Sequence, residues 1–280
     1  MKHLLLCGHG YLGQAVSGTF LAAGWRVTAV SRGNEDPAGV PHLTERTADL
    51  SSAQSIGSLA GAIAPPDFII HCASSGRGGE EAYRTVFLDG CRHLLEAFPA
   101  APLLFTSSTS VYAQTDGSVV TEESPAEPDR GTGRVLREAE DLVLSRGGLV
   151  FRLAGIYGPH RSYLLGKFLS GEAGIEEDGR RFVNQIHRDD AATAMLHAAT
   201  APLPPGIWNV CDSHPRSQLA TYQALASRFG KPLPPRVPRD PNRKRGWTHK
   251  HVSNARLVAS GWQPAYPDFL EVAESIATAL

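Results

Sequence analysis

A turn able to hold phosphate stands almost at the start of the chain. In LLLCGHGYLGQAV, Gly8, Gly10 and Gly13 follow the spacing Gly-x-Gly-x-x-Gly, directly after an apolar run and at the head of a helical pattern. Gly8 permits a tight turn, Gly10 lets the backbone approach a pyrophosphate, and Gly13 lets helix and strand pack closely. Free N–H groups at the helix start then meet the negative charge. The same spacing also occurs in plain strand-to-helix turns, but its place behind an amino-terminal strand selects dinucleotide binding. The end of the second strand points to one variant of the ligand. An acidic residue there would hold a ribose 2′-hydroxyl, whereas VTAVSRGN offers Ser31 and Arg32. A hydroxyl and a guanidinium fork suit a 2′-phosphate, so NADP(H) is expected before NAD. The plainer reading of Arg32 is a solvated arginine in a turn.

The elements that would position these groups follow a simple rhythm. Apolar runs at Leu4–Cys7, Val27–Val30, Phe68–Cys72, Leu103–Ser107, Leu149–Leu153 and Ile207–Val210 read as strands covered on both faces. Helical patterns lie between them, at Tyr11–Ala23 with Gly24 as its stop, and near 52–63, 80–98, 130–145 and 189–200. Alternation of this kind predicts an α/β fold, a doubly wound parallel sheet of the Rossmann type. After Leu153 the pattern loosens into stretches rich in Gly, Pro and charge. The expected division is a dinucleotide-binding domain at 1–155, rejoined by 188–211, and a small substrate lobe from 156–187 and 212–280. Ligands of open α/β sheets bind at the carboxyl edge of the strands, where this lobe would lie.

Bulk properties exclude several function classes. A net charge of −1 gives no field that would recruit nucleic acid or an anionic membrane. The basic run Arg236–His251 is isolated and nearly without aromatics, so it reads as a solvated loop, with an anion clamp as the sharper alternative. Cys7, Cys72, Cys91 and Cys211 form no CxxC pair, so thiols in a reducing compartment are expected, with neither disulfides nor a metal site. MKHLLLCGHG is too short an apolar run for a signal peptide and no stretch approaches a membrane span, so a cytoplasmic protein is expected.

With CGHGYLG, FTSSTSVYAQ, FRLAGIYGPHR, IHRDDAATAM and SNARLVASGW on the page, the chain resembles the extended short-chain dehydrogenase/reductases over its whole length. It is most similar to their atypical YeeZ-like branch of epimerase/dehydratase relatives. The resemblance implies that Gly8, Gly10, Tyr11, Leu12 and Gly13 hold the pyrophosphate, with Cys7 where a first glycine is usual. It implies further coenzyme contacts from Asp49 and Leu50 near the adenine, and from Ala73 and Ser74 in HCASS. Ser108, four residues before Tyr112, matches the hydroxyl that binds a substrate oxygen. The loop AGIYGP joins the nicotinamide and substrate sites. His160, Arg161, Tyr163 and His187 fall on the substrate side, and helices 80–98 and 130–145 match those that pair in homodimers of the superfamily.

The departures matter more. A tyrosine and a lysine four residues on are usual in the helix near 130–145; here Thr132 and Leu136 stand in their places. An asparagine usual in the preceding helix is Phe87, and Thr109-Ser110 replace the Asp-Glu of sugar dehydratases, which makes that activity improbable. Hydride transfer builds negative charge on oxygen, and a threonine hydroxyl without a neighbouring cation is a poor acid. General acid catalysis is worth roughly 10²–10⁴-fold. Candidate substitutes are Tyr157, Tyr163, His160 and Tyr112, each with an ordinary packing or solvated reading. Two functions stay open. One is an NADP(H)-dependent oxidoreductase acting on a small or nucleotide-linked carbonyl or hydroxyl compound, with Ser108, Thr132 and Tyr157 as candidate catalytic residues. The other is a non-catalytic NADP(H) sensor or scaffold. An isomerase that uses retained coenzyme transiently is a third.

Overall fold

The apolar run at the amino terminus, His3–Cys7 (β1), is buried at every position. It has parallel neighbours on both sides, Arg26–Ser31 (β2) and Phe68–His71 (β4). A strand paired on both edges and covered on both faces has no solvent side, so its sequence is continuously apolar. The computed structural model describes residues 1–33, 39–76, 78–201, 203–240 and 246–280. Leu43–Thr47 (β3), Leu103–Ser108 (β5), Leu149–Leu153 (β6) and Gly206–Val210 (β7) complete a seven-stranded parallel sheet. Its order is β3-β2-β1-β4-β5-β6-β7, the doubly wound arrangement expected from the sequence. The reversal of strand order falls between β1 and β4.

One strand escaped the sequence reading. β3, LTERT, is only partly buried and pairs on one side alone. An edge strand needs no apolar run, so its residues carry no burial signal.

Tyr11–Ala22 (α1), Ala53–Ala62 (α2), Gly131–Ser145 (α4) and Arg188–Thr200 (α6) lie close to the expected helices. Another helix, α3, is built of Glu80–Tyr83, a π-helical turn Arg84–Asp89, and Gly90–Ala97. The wide turn lets Val86 offer its carbonyl to His71 Nε2 at 2.8 Å. α1 packs on α6, while α2, α3 and α4 pack together as a second group. Among the described residues no helix is long and apolar enough to cross a membrane.

A second, smaller core lies beyond the sheet. Tyr157, Leu165, Phe168, Ile175, Tyr222 and Phe269 form its centre. They come from Gly155–Tyr157, Tyr163–Leu169 (α5), Ile175–Glu176, Gln218–Phe229 (α7) and Phe269–Thr278 (α9), which follows the short helix Ala255–Ala259 (α8). Val252, Leu257 and Trp262, from within 212–280, join the main core instead.

Beneath the sheet's carboxyl half sits a buried ion pair. Glu140 of α4 and Arg152 of β6 are 0 % and 1 % exposed. Arg152 Nη2 donates to Glu140 Oε2 at 2.6 Å and Nε to Oε1 at 3.1 Å, while Ser107 and Arg137 also donate to the carboxylate. The guanidinium lies 4.7 Å from the centre of the Tyr112 ring. Removing one partner strands the other charge in the core, at a cost of about 3–5 kcal/mol. Glu140→Ala is therefore expected to lower the urea midpoint by that much stability, and an unchanged midpoint would show that water reaches the pair.

Candidate active site

The glycine turn lies where the strand order reverses. Gly8 has φ +109°, and a Cβ on it would come within 2.5 Å of the Ala73 Cα. A Cβ on Gly13 would fall 2.0 Å from the Gly8 carbonyl oxygen, whereas one on Gly10 would meet nothing. Two glycines thus let three backbones close on one another, and the third leaves open space before the helix. No side chain caps α1, so its first N–H groups face that space with the positive end of the helix dipole. The arrangement fits a pyrophosphate.

The surroundings hold this turn rigid. Gly8 N–H donates to Val30 at 2.8 Å, and the Cys72 thiol to the Gly8 carbonyl at 3.1 Å. Burial pushes the Cys72 thiol up to about 12, so it stays a thiol and a packing group. His9 bridges Glu45 of β3 at 2.5 Å and Ser17 of α1 at 2.9 Å. Leu12 turns its side chain into the main core, leaving its backbone N–H as its means of meeting a ligand. The Tyr11 hydroxyl donates to the Pro159 carbonyl at 3.0 Å. Its ring has the guanidiniums of Arg161 and Arg188 at 5.1 and 4.9 Å. Two cations therefore flank the first residue of α1.

The other expected coenzyme residues line up along the same edge. Ser31 Oγ accepts from Gly33 N–H at 3.3 Å, and Arg32 is exposed beside it. Asp49 Oδ1 accepts from the Ser51 hydroxyl and N–H at 2.7 and 3.0 Å. These bonds hold its carboxyl below the usual range. Leu50 is buried, with its carbonyl 2.8 Å from His93 Nδ1. Ser74 Oγ accepts from Gly76 N–H at 3.1 Å.

A cavity of about 920 Å³ opens at the carboxyl ends of β5 and β6, and Ser108, Ala154, Tyr157 and Tyr163 line it. Ser108 Oγ caps the short turn Thr109–Val111 by accepting from Ser110 N–H at 3.2 Å. Its own hydrogen remains to donate into the cavity.

The remaining expected residues lie elsewhere. His160, Arg161 and His187 do not line the cavity. His160 is exposed with φ +63°. His187 caps α6, its Nδ1 accepting from Asp189 N–H at 3.2 Å, with its ring between Tyr157 and Tyr266. Burial lowers its pKa, as a neutral cap requires. Thr132 is half-buried in the first turn of α4 and also lies outside the cavity lining. Leu136 is 4 % exposed and belongs to the main core. Tyr157 lines the cavity, but its ring packs edge-on against His187 and Phe269. Burial, with Asp212 and Asp190 nearby, raises the Tyr157 phenol well above its ordinary value, the wrong direction for an acid.

The sequence reading missed Lys250. Its run was read as a solvated loop, and residues 241–245 lie outside the described residues. Lys250 itself is 4 % exposed and lines the cavity together with Ser108. Its Nζ donates to the Tyr112 carbonyl at 2.7 Å and to Thr248 Oγ1 at 3.0 Å. Burial first, and the Arg181 charge second, bring its pKa down to about 7. The available signal was parity: in THKHV, residue 250 enters the short strand His251–Val252 two residues before Val252, which is 1 % exposed.

Comparison with known proteins places this site in a family. Residues 4–211 match the NAD dependent epimerase/dehydratase family, to which the chain belongs. Protein YeeZ of Escherichia coli K12 is 29% identical over 290 residues, covering 96% of this chain and 97% of its own. A Methylobacillus flagellatus protein provisionally described as an NAD-dependent epimerase/dehydratase superposes with a TM-score of 0.81 at 26% identity, covering 99% of this chain and 98% of its own. The UDP-glucose 4-epimerase of Thermus thermophilus, solved with NAD, has the same fold, with a TM-score of 0.80, 19% identity and full coverage of both chains.

The turn gives a direct test. Gly13→Ala puts a methyl on the Gly8 carbonyl, an overpacking that costs about 1–3 kcal/mol. Calorimetry on the folded variant is expected to show coenzyme affinity reduced at least tenfold, and wild-type affinity would mean that the turn does not carry the ligand.

Proposed function

We propose that the chain is an NADP(H)-dependent oxidoreductase acting on a carbonyl or hydroxyl group of a small or nucleotide-linked compound. The observation that carries this reading is Ser108, a hydroxyl with a free hydrogen at the carboxyl end of β5, opening into a cavity of about 920 Å³. A protein that only sensed the coenzyme would have no use for such a hydroxyl facing a cavity that the glycine turn does not line. When bound, a reduced nicotinamide supplies a hydride. The chain's own residues do the rest. The glycine turn and the start of α1 seat the pyrophosphate, Ser108 orients the substrate oxygen, and the apolar wall of Ala154, Ile156 and Ala173 limits water.

Support for the phosphorylated coenzyme is local. Ser31 ends β2, Arg32 is exposed directly after it, and among the described residues 31–33 none is acidic. A second reading, a non-catalytic NADP(H) sensor or scaffold, draws on Thr132 and Leu136: one lies away from the cavity and the other is core.

Purified protein mixed with NADPH and a panel of aldehydes, ketones and nucleotide-sugar ketones separates the two. Loss of nicotinamide absorbance is expected, with Ser108→Ala lowering kcat about a hundredfold and leaving NADPH affinity unchanged. Binding without absorbance loss across the panel would favour the sensor. For the coenzyme, Arg32→Asp is expected to weaken NADPH about tenfold, the value of one charge-assisted contact, while NADH binding holds or improves. Equal losses for both coenzymes would remove Arg32 from the 2′-phosphate.

A further inference from the structure

We propose that Lys250 is the acid of this site: its ammonium group gives the proton to the substrate oxygen that Ser108 holds. The proposal rests on the oxidoreductase reading and names the group that the usual tyrosine and lysine would otherwise supply.

The cavity offers few alternatives. Tyr163 is 79% exposed and lies at the mouth, with Lys167 over its ring. Tyr157 is wedged among aromatic rings and holds its proton tightly. Arg181 pairs with Glu176 at 2.9 Å, and a guanidinium does not release its proton. Lys167 faces Glu172 at 3.7 Å in water.

Lys250 differs from all of these. It is buried, its two oxygen partners are neutral, and among the described residues no carboxylate pairs with it. Two of its three protons are engaged when it is charged, so one remains for the cavity. One partner, the Tyr112 carbonyl, belongs to the residue whose N–H closes the turn that Ser108 caps, so a single short segment anchors both the hydroxyl and the amine. The backbone of Lys250 is fixed as well: Asn184 Nδ2 donates to its carbonyl at 2.9 Å, and Asn184 Oδ1 accepts from Val252 N–H at 2.8 Å.

The step balances. The carbonyl carbon accepts a hydride and the π pair moves to oxygen; an N–H bond of Lys250 breaks as the O–H bond forms. The substrate is reduced and the nicotinamide oxidised, and the neutral amine recovers a proton from water. An amine that titrates near neutrality loses this proton far more readily than an ordinary lysine, yet is still substantially charged at working pH. Charged and titratable groups around it are Arg181 with Glu176 across the wall, Asp240 on the cavity lining, and its chain neighbours His249 and His251, their rings against Phe182. Reduction needs the charged form, so kcat/KM should fall as pH rises through about 7.

The experiment uses the full chain and its Lys250→Met variant, with the NADPH and carbonyl panel described above. ¹⁵N-lysine NMR, with the Lys250 signal identified by its loss in the variant, is expected to show an amine titrating near neutrality. Lys250→Met should keep its NADPH affinity, lose roughly 10²–10⁴-fold in kcat/KM, and lose the falling limb of the pH profile. Turnover of Lys250→Met within about threefold of wild type, or an amine titrating with ordinary lysines, overturns the assignment of Lys250 alone. Wild-type protein that binds NADPH but reduces nothing overturns the oxidoreductase reading, and the assignment with it. Should the variant fail to fold, Lys250→Gln and the wild-type titration carry the same decision.

Discussion

Three backbones meet at the head of α1 because there is no side chain to keep them apart. The Gly8 carbonyl occupies the place of a Cβ at position 13, and the Ala73 backbone occupies the place of a Cβ at position 8. This mutual exclusion brings β1, β4 and α1 together at the point where strand order reverses. It also sets the ligand's position, because the helix N–H groups can face only the space that Gly10 leaves clear. His9 and Tyr11, both lying between these glycines in sequence, then tie the turn outward, one to β3 and one to the Pro159 loop. The same few residues thus settle sheet order, helix approach and anion seat.

One face of α4 is taken up by the core and its ion pair. Thr132, Leu136 and Glu140 lie four residues apart, so they share one side of the helix. Leu136 packs into the core, and Glu140 is held by Arg152, Arg137 and Ser107. A lysine at 136 would enter an apolar layer one turn from a carboxylate already committed to two arginines. The face is structural.

The sequence made the buried parts of the fold legible and hid the parts where burial is incomplete or unusual. Six strands announced themselves as apolar runs, and the glycine spacing located the turn, because a parallel sheet leaves almost no room for polar residues. β3 was invisible because an edge strand is half wet. His187 looked like a site residue and proved to be a helix cap, a role for which histidine carries no distinctive spacing. Lys250 was hidden in the opposite way. Lysines are almost never buried, so a basic run reads as solvated unless strand parity with a neighbour such as Val252 is weighed against composition.

The proposed coenzyme seat and the cavity wall draw on different parts of the chain. The seat is built from residues 8–74, within the amino-terminal half of the sheet, and its partners are mostly backbone atoms. The cavity wall is assembled later in the chain, from the Ser108 turn, the segment around Asn184 and the segment bearing Lys250. Those three segments hold one another: Tyr112 receives the lysine amine, and Asn184 receives and supplies the backbone bonds on either side of it. The Ser108 turn also rests on α4, where Ser107 donates to Glu140, so the hydroxyl is supported from the helix side and the lysine from the Tyr112 and Asn184 side. A substitution on α4 therefore reaches the core and, through Glu140, the residue next to the hydroxyl.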